Sequence, residues 1–328
     1  MKKPILEIDA KGWSRIQGNQ PRYRLFMELY QNSKDEVGTT EIKIKIEPLG
    51  GRPAVLFQVE DDGPGFADLS HAYTLFAPSA KLGNPTQSGF MNLGEKACIV
   101  GCTKLSIFTT SGTVDFNMAD QSRVENPRKK SQRGTLVIGE MKMTREEYAE
   151  TILALTSIIP PKHIALWVNG GRVEHRTPVR TFEARLPTRL LEDGELVTRT
   201  RDTIVEVYPL MAAEKPTLYE MGIQVVETDV KDFHINVGQK VILNKDRDNV
   251  TPAYMQTLRV LTLNNTADLL AEADASEDWV REASGDERAE KDAVEQIMDL
   301  RFGEKRVVAS PTDPEANARA VAEGYTLI

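Results

Sequence analysis

The sequence predicts an α+β protein of two domains. Its 328 residues are enough to bury two hydrophobic cores. Runs of β-branched residues on either side of short turns predict antiparallel hairpins in both halves of the chain, and segments with helix start signals separate them. We therefore expect a first unit over residues 1–145, a second α+β unit over 146–272, and an acidic helical tail over 273–328.

The first unit begins with a helix and a hairpin. Asn19 and Pro21 predict a helix through about Asp35, because Asn is a favourable N-cap and Pro suits the first helical turn. Two β-rich runs in TEIKIKIEPLGGRPAVLFQVED predict a hairpin around a Pro/Gly turn. Residues 67–88 show no clear period and predict a long loop, of a length that is usually either functional or disordered.

A short helix and further strands complete the first unit. Glycines lead into this helix in GFMNLGEKACIVG, and KLSIFTTSGTVDFNM predicts a second hairpin around a Ser-Gly turn. The basic stretch ENPRKKSQR is expected to be a solvated loop, and RGTLVIGEM predicts one more strand. These elements indicate a unit that mixes helices with a largely antiparallel sheet.

The second unit is predicted to be rich in strands. Thr144 and the acidic residues after it start a helix in TREEYAETILALTSII, which leads through two prolines into the hairpin HIALWVNGGRVEHR. TIVEVYPL, GIQVVETD and FHINVGQKVIL predict further strands. Thr251 and Pro252 then start a helix that runs through about Leu270.

Acidic charge is concentrated near the C-terminus. The net charge is −8, and residues 266–300 contain 12 acidic and 3 basic residues. The rest of the chain is therefore close to neutral, so its acidity does not argue against a nucleic-acid surface elsewhere. The chain also shows no strong basic footprint of the kind that nucleic-acid-binding domains carry.

Two features bear on the cellular compartment. No apolar run approaches the ~20 residues that span a bilayer, and the N-terminal MKKPILEIDAKGW has no apolar signal core, so we expect a cytoplasmic protein with no membrane partner. Cys98 and Cys102 lack a second Cys or His pair with ligand spacing, which argues against a zinc site or a disulfide framework. They are expected to be reduced and buried on one helix face.

Three polar stretches follow one another in the first unit. In ELYQNSKDE, the side chains of Glu28, Asn32 and Asp35 share one face of the predicted helix, a pattern that by itself also fits a solvated helix face. In DDGPGF, Asp61 ends a predicted strand before two glycines. In GFMNLG, glycines bracket the start of a helix, after the long loop.

Together and in this order, these stretches resemble the motifs of the Bergerat-fold ATPases, the GHKL group of gyrase, heat-shock chaperone, histidine kinase and MutL. The resemblance covers about residues 20–140. It implies an α/β sandwich, with a mixed and mostly antiparallel sheet that carries helices on one face, and it implies binding of ATP and Mg²⁺. The organisation is most similar to that of MutL, the topoisomerase VI B subunit and the heat-shock chaperone, and phage rIIA-like proteins are candidate relatives.

The first stretch matches the family's hydrolytic residues. In the family, the glutamate at the position of Glu28 is the general base, and the asparagine at the position of Asn32 holds the metal ion. Both roles suit the chemistry, because a carboxylate can take a proton from water and an amide oxygen is a hard ligand for Mg²⁺. Asp35 is assigned to the nucleotide site with them, whereas Glu36 departs from the family's alanine.

The second stretch matches the residues that bind adenine. Asp61 corresponds to the family aspartate that accepts a hydrogen bond from the adenine amino group. Gly63 and Gly65 allow the backbone to turn and approach the purine. Thr135, in RGTLV, matches a family Gly-Thr strand whose threonine reaches the adenine side, with a core threonine as the alternative.

The third stretch implies a phosphate cradle at a helix N-terminus, where backbone N–H groups and the positive dipole end bind anions. Residues Met91 to Leu93 depart from family forms such as Gly-Phe-Arg-Gly-Glu. For Lys96 there are two interpretations, a phosphate contact and a solvated helix residue. The contacts are assigned to Gly89, Phe90, Gly94, Glu95 and Lys96. In the loop before them, APSAK resembles the MutL lid, which places Ser79 and Lys81 near the phosphates.

The second unit resembles, more loosely, the transducer domain of MutL and topoisomerase VI, a ribosomal S5 domain 2-like α+β domain. In that domain a lysine reaches the γ-phosphate. INVGQK nominates Lys240 for this catalytic role, with Lys245 and Arg247 as rivals and a charged strand end as the alternative. The preferred function is Mg-dependent ATP hydrolysis coupled to lid closure and homodimerisation, in a machine that acts on nucleic acid or a protein client. The alternative is a nucleotide-gated regulatory protein with slow or no hydrolysis.

Overall fold

The structure is a computed structural model that describes residues 9–17, 20–75, 94–192, 195–243 and 249–328. Its contacts divide the chain into two compact units. Unit 1 comprises Met1–Arg176, Arg189–Arg199 and Met221–Gln224, and unit 2 comprises Thr177–Thr188, Thr200–Glu220 and Val225–Ile328. The predicted domain boundaries at residues 145 and 272 stay predictions.

An eight-stranded sheet forms one layer of unit 1. Its strands β1 to β8 are Glu41–Pro48, Ala54–Asp61, Lys104–Thr109, Gly112–Asn117, Ser122–Asn126, Thr135–Lys142, Ala165–Val168 and Gly171–Val173. They lie in the order β5-β4-β3-β6-β2-β1-β7-β8, and neighbours are antiparallel except for β1 and β7. Alternation sets the two faces, because Ile42 and Ile44 of β1 are buried while Lys43 and Lys45 are exposed.

Four helices pack on the buried face of this sheet. Helices α1 to α4 are Ala10–Gln17, Arg22–Lys34, Gly94–Gly101 and Arg145–Thr156. Helix α2 contacts both α3 and α4, and α1 contacts α3. Between the layers, Phe26 of α2 meets Phe57 of β2 edge to face, with ring centroids 5.1 Å apart. A mixed, mostly antiparallel sheet with helices on one face confirms the predicted fold class.

The helices of unit 1 begin and end where local signals place them. Helix α2 starts after Pro21 and ends at the C-cap residue Asp35, as predicted, whereas Asn19 lies outside the described residues. Thr144 caps α4 in a reciprocal capping box with Glu147. Within the loop predicted over 67–88, the described part contains a short 3₁₀ helix, Leu69–Ala72. Cys98 and Cys102 are buried with free thiols, as predicted, but only Cys98 lies on α3, since Cys102 follows the last residue of that helix.

Three strands of unit 1 differ from the prediction. The hairpin HIALWVNGGRVEHR forms β7 and β8 of the first sheet, so its assignment to the second unit was wrong. Helix α4 is the crossover that brings β7 parallel to β1, where Leu166 and Val168 join the same core. Strand β5 was missed because its five residues are all exposed, so they show no apolar alternation.

Unit 2 contains a five-stranded sheet. Strands β9 to β13 are Arg180–Glu192, Glu195–Pro209, Thr217–Glu220, Ile223–Glu227 and Phe233–Val237. Their order is β12-β11-β13-β10-β9, and β13 is antiparallel to β10 and parallel to β11. The central position of β13 explains why every one of its residues is buried. Strands β10, β12 and β13 were predicted, whereas β9 and β11 were not.

Helices cover this second core. Helices α5 to α8 are Pro252–Thr266, Asp278–Ser284, Lys291–Phe302 and Pro314–Ala322. Thr251 caps α5 as predicted, since its side chain accepts a hydrogen bond from the Tyr254 N–H at 3.3 Å. Helices α6 and α7 pack on α5 and bury Trp279 and Ile297, so the start of the predicted tail contributes to the core.

Three minor elements complete the description. Two 3₁₀ helices, Ala267–Leu269 and Asp274–Ser276, follow α5. Strands β14 and β15, Arg306–Val307 and Thr326–Leu327, form a parallel pair near the C-terminus. Among the described residues, no helix combines the length and the apolar character that crossing a membrane requires.

We expect Asp232→Asn to stabilise the protein at neutral and higher pH. Burial, with the charge of Asp274, raises the pKa of Asp232 to about 6. Because the folded state holds this proton more tightly than the unfolded state, stability is highest at acidic pH and falls as pH rises from about 4 to about 6. The amide cannot ionise. We expect the free energy of unfolding at pH ~8 to rise by about 1 kcal/mol, a value reduced because the side chain is only partly buried.

Urea denaturation of both proteins at two pH values checks this expectation. The gain should be present at pH ~8 and absent near pH ~3.5, where the carboxyl group is protonated in both states. Asp202→Asn, whose wild-type side chain is 86% exposed, is the matched control and should show no gain. An Asp232→Asn variant that is no more stable than the wild type at the higher pH would contradict the burial of an ionised carboxylate there.

Candidate functional site

Asp61 is the polar centre of a corner between α2 and the sheet of unit 1. It is the last residue of β2 and is 8% exposed. Its Oδ2 accepts a hydrogen bond from the Ser33 hydroxyl on α2 at 3.0 Å. Its Oδ1 accepts from the backbone N–H groups of Gly63 at 3.0 Å and Thr135 at 3.3 Å. Helix α2, the turn after β2 and the first residue of β6 therefore converge on one carboxylate.

This carboxylate has capacity for one more donor. Burial raises the pKa of Asp61, whereas the hydrogen bonds from Gly63, Ser33 and Thr135 act to lower it. An ionised carboxylate has about four acceptor positions. The donors in the described part of the chain occupy three of them. A ligand that donates to the remaining position is favoured, because a ligand without a donor leaves a buried acceptor unsatisfied.

Glycines allow the backbone to close around this carboxylate. Gly134 has φ +72°, and its N–H donates to the carbonyl oxygen of Gly63 at 2.8 Å. A Cβ at Gly134 would lie 1.8 Å from the carbonyl oxygen of Asp61, so a larger residue requires the strands to move apart. At Gly63 and Gly65, a Cβ would lie 2.7 and 2.6 Å from a threonine hydroxyl oxygen, respectively. The tight turn is thus a property of the backbone.

Asp62 anchors the opposite side of the same turn. Its carboxylate accepts hydrogen bonds from the N–H and hydroxyl of Thr40, at 2.7 and 2.6 Å, and from the Glu41 N–H at 2.9 Å. Arg133 donates to Oδ2 at 3.1 Å. Desolvation acts to raise the pKa of Asp62, but these hydrogen bonds and the Arg133 charge outweigh it and lower the pKa.

A cavity of about 320 Å³ opens beside this turn. It is lined by residues of the α2–β1 connection, the DDGPG turn and the segment before β6, namely Val37, Gly38, Asp62, Gly63, Pro64, Thr110, Gln132 and Arg133. Because Asp62 fixes the turn to β1 and to Arg133, Asp61 is held in one place next to this opening. The carboxylate in the lining is that of Asp62, and Asp61 directly precedes it in the turn that borders this ligand-sized space.

Glu28 and Asn32 lie on α2, shortly before Ser33. Both side chains are half-buried and take part in interactions within the protein, unlike the residues of a fully solvated helix face. Their spacing puts them one turn apart on the same side of α2. From Glu28 to Ser33 the axial distance is about 7.5 Å. Helix α2 thus carries the predicted hydrolytic residues within two turns of the contact with Asp61.

Asp35 has a different environment. It is the C-cap residue of α2, and its Oδ1 accepts a hydrogen bond from the Lys34 ammonium at 2.7 Å. The two side chains are 2% and 7% exposed, respectively. Burial raises the pKa of Tyr30, and the charge of Asp35 adds to this shift. The structure thus places Asp35 in a buried ion pair, and its contact with a nucleotide stays a prediction.

The predicted phosphate cradle is described only from the start of α3. Helix α3 begins at Gly94 and includes Glu95 and Lys96 in its first turn. Lys96 is 2% exposed, which excludes a solvated helix residue, and it interacts with other groups of the protein, as a buried ammonium must. The remaining predicted contacts lie outside the described residues: Ser79, Lys81, Gly89 and Phe90.

Thr135 and Lys240 lie in different units. Thr135 is buried and pairs with Asp61 across β6 and β2, and its backbone N–H, not its hydroxyl, contacts the carboxylate. Lys240 is 8% exposed in unit 2, and its carbonyl oxygen accepts a hydrogen bond from the Thr188 hydroxyl at 2.8 Å. Its role as a γ-phosphate sensor stays a prediction. Its rivals Lys245 and Arg247 lie outside the described residues.

Sequence reasoning missed three residues that build this corner. Ser33 orients Asp61 from α2, Gly134 allows β6 to start against β2, and Thr40 holds Asp62. A hydroxyl residue next to Asn32 and a glycine directly before a predicted strand were the available signals. Neither signal identifies its partner, because these contacts are long-range in sequence.

The residues present fit a metal ion that is held mainly by a ligand. Among the described residues, no group of three or more His, Cys, Asp or Glu side chains is arranged to hold a metal ion. Magnesium that binds with nucleotide phosphates needs only one or two protein oxygens, because waters and phosphates complete its octahedron. Asn32 provides such an oxygen on α2, half-buried and next to Ser33.

Comparisons with known proteins add a structural likeness. No family model and no curated protein matches the sequence. The chain is similar to the ATPase region of Saccharomyces cerevisiae topoisomerase II, at 11% identity and a TM-score of 0.46 over 69% of this chain and 75% of that chain. The same region bound to ICRF-187 (dexrazoxane) gives 10% identity and a TM-score of 0.46 over 72% and 82%. At these values the likeness does not by itself establish a family or a function.

Proposed function

We propose that this protein is a GHKL-type ATPase that binds ATP with Mg²⁺ in the corner between α2 and β2. The observation that carries the proposal is the Asp61 carboxylate, buried at a strand end with three donors and one remaining acceptor position. The amino group of adenine is a donor of the required kind. Because the Ser33 hydroxyl bonds to Asp61, the base-binding group on β2 is fixed relative to Glu28 and Asn32 on α2.

Each residue has a separate task in the proposed mechanism. Asp61 accepts a hydrogen bond from the adenine amino group and disfavours a base with a carbonyl oxygen in that place. Glu28 orients a water molecule and takes its proton as the water oxygen bonds to the γ-phosphorus, while the bond from that phosphorus to the β–γ bridging oxygen breaks and ADP leaves. Asn32 would contribute an amide oxygen to Mg²⁺, and the bound ion would offset the negative charge of the phosphates. Lys96 and the N-terminus of α3 are assigned to the phosphate side.

The proposal extends to a conformational cycle. Lys240, in the unit predicted to be transducer-like, would bind the γ-phosphate, and Ser79 and Lys81 would belong to a lid that closes over it. Only ATP can make these contacts, so ADP would not favour the same state. Closure is proposed to drive ATP-dependent homodimerisation and work on a nucleic-acid or protein client. The burial of Lys240 in unit 2 supports an ordered position for this side chain.

Asp61→Asn tests the adenine site. We expect the variant to lose affinity for ATP by about 1–3 kcal/mol, roughly 5- to 150-fold, while the fold survives. In the variant the amide oxygen is expected to keep the backbone N–H groups of Gly63 and Thr135, and the amide NH₂ then takes the position of Oδ2, where it faces the Ser33 hydroxyl and the adenine amino group. Two donors then oppose each other. Calorimetric titration with ATP and with GTP measures the loss and should show a weaker preference for adenine.

Asp115→Asn is the matched control for this experiment. Asp115 lies on β4 of the same sheet and is exposed, and its carboxylate accepts a hydrogen bond from the Ser106 hydroxyl. The control has the same chemical change and should bind ATP like the wild type. Equal ATP affinity of the wild type and Asp61→Asn would remove Asp61 from the site. Weak binding of ATP to the wild type itself would remove the proposed function.

A further inference from the structure

Unit 1 has a second cavity, of about 470 Å³, beside the N-terminus of α2 and the C-terminus of α3. The corner around Asp61 lies at the other end of α2. Its lining combines α1, the first turn of α2, the last turn of α3, the segment after β4 and the end of β6. Along α2, the distance from Arg22 in this lining to Ser33 at Asp61 is about 16 Å. The cavity is therefore a separate site and does not belong to the proposed nucleotide pocket.

The lining of this cavity is strongly cationic. Lys11 and Arg15 of α1, Arg22 of α2 and Lys142 of β6 all line it, and none of the described lining residues is acidic. Four like charges around one space repel each other unless an anion or solvent offsets them. Because a protein-lined cavity reduces solvent screening, an anionic ligand is expected to gain more there than on an open surface.

Arg22 is the most informative of these four residues. Its side chain is 19% exposed, and its Nε is buried without a hydrogen-bond acceptor in the described part of the chain. The nearest carboxylate is that of Glu147, 3.7 Å from this nitrogen, which is too long for a hydrogen bond. Burial raises the pKa of Cys102, and the Arg22 charge opposes this shift, so the guanidinium lies beside that thiol in the cavity wall.

Helix dipoles explain only part of this charge. The C-terminus of α3 lies in the cavity wall and carries about half a negative charge, which favours one nearby cation. The N-terminus of α2 lies there as well and carries about half a positive charge. Its N-cap residue is Pro21, which provides no side-chain hydrogen bond to the first turn. The two helix ends roughly cancel and Glu147 offsets part of the Arg22 charge, so the four cations still leave an excess that an anion would offset.

We propose that this basic cavity binds a small molecule that has an apolar body and a phosphate group. The phosphate would lie between the α1 cations and Arg22, where charge-assisted hydrogen bonds are available. The apolar body would contact Leu25, Val100 and Met118, which line the same cavity. Its volume is within the range of small-molecule sites. The proposal does not depend on ATP binding at Asp61.

Binding of anilinonaphthalene sulfonate to the full chain tests this proposal, because the probe has an apolar ring system and a strongly acidic group. We expect the double variant Lys11→Glu/Arg15→Glu to bind the probe about tenfold more weakly, or worse, as measured by fluorescence titration. The double variant Lys45→Glu/Arg172→Glu removes as much charge from exposed positions outside the cavity and should bind the probe within about twofold of the wild type.

Three further measurements make the outcome decisive. Inorganic pyrophosphate should displace the probe from the wild type, and a failure to displace it would overturn the assignment of a phosphate group. Asp61→Asn should bind the probe like the wild type, whether or not that variant binds ATP. Where circular dichroism shows that the α1 variant has lost structure, Lys142→Glu on β6 provides the same test. Equal weakening by the cavity variant and the control would overturn the proposal.

Discussion

Glu28→Ala should bind ATP almost as tightly as the wild type but hydrolyse it about 10²–10⁴ times more slowly, the range expected for the loss of a general base. Glu28 is half-buried on α2, one turn before Asn32, so its removal leaves the contact between Ser33 and Asp61 in place. Binding and chemistry should therefore separate. Phosphate release under saturating ATP, together with calorimetric ATP affinity, measures the two effects.

Glu47→Ala is the control for this measurement. Glu47 lies on β1 of the same unit, its side chain is 52% exposed, and it pairs with Lys45 at the surface. Its removal should change neither turnover nor affinity. A Glu28→Ala protein with wild-type turnover would show that another group activates the water. A wild type that binds ATP without turnover would instead support a nucleotide-gated regulatory protein.

Gly134→Ala should destabilise unit 1 by about 3 kcal/mol or more and weaken ATP binding in the fraction that folds. Two effects add. The residue has φ +72°, which costs an alanine about 1–2 kcal/mol. Its Cβ would also lie 1.8 Å from the carbonyl oxygen of Asp61, so β6 and the end of β2 must separate. Chemical denaturation measures the loss of stability.

Gly51→Ala separates these two effects. Gly51, in the turn between β1 and β2, has φ +80° and no atom within 4 Å of a built Cβ. Its substitution therefore includes the conformational cost without the collision, about 1 kcal/mol. The difference between the two variants isolates the steric contact with Asp61. Equal losses in both would show that β6 moves aside at little cost and that Gly134 is not needed to hold the carboxylate.

Local signals were sufficient for most elements of unit 1. Strand β1 alternates isoleucines with charged residues, α4 has a capping box, and the glycine turn separates β3 from β4, so each element is specified by adjacent residues. Strand β5 is exposed along its whole length and has no apolar period to detect. Strand β7 shows a clear hairpin pattern, but its partner is β1, far away in the sequence.

The candidate site divides in the same way. Glu28, Asn32 and Asp61 were predicted because each belongs to a short pattern of suitable chemistry. The partners of Asp61 were not, since Ser33 is 28 residues away and Thr135 is 74 residues away. Lys96 shows the limit of local reasoning from charge, because a lysine in a first helical turn is normally solvated and this one is buried.

The parallel pairing of β1 with β7 has a consequence for how the protein must be produced. During synthesis β1 leaves the ribosome about 120 residues before its partner, because Ile42 pairs with Leu166. Until α4 and β7 are available, β1 is an edge strand with unpaired backbone groups and a row of isoleucines, which is a template for aggregation. A fragment that stops at residue 145 would keep that edge permanently. Expression of unit 1 should therefore extend through β8, and chaperone dependence during translation should centre on β1.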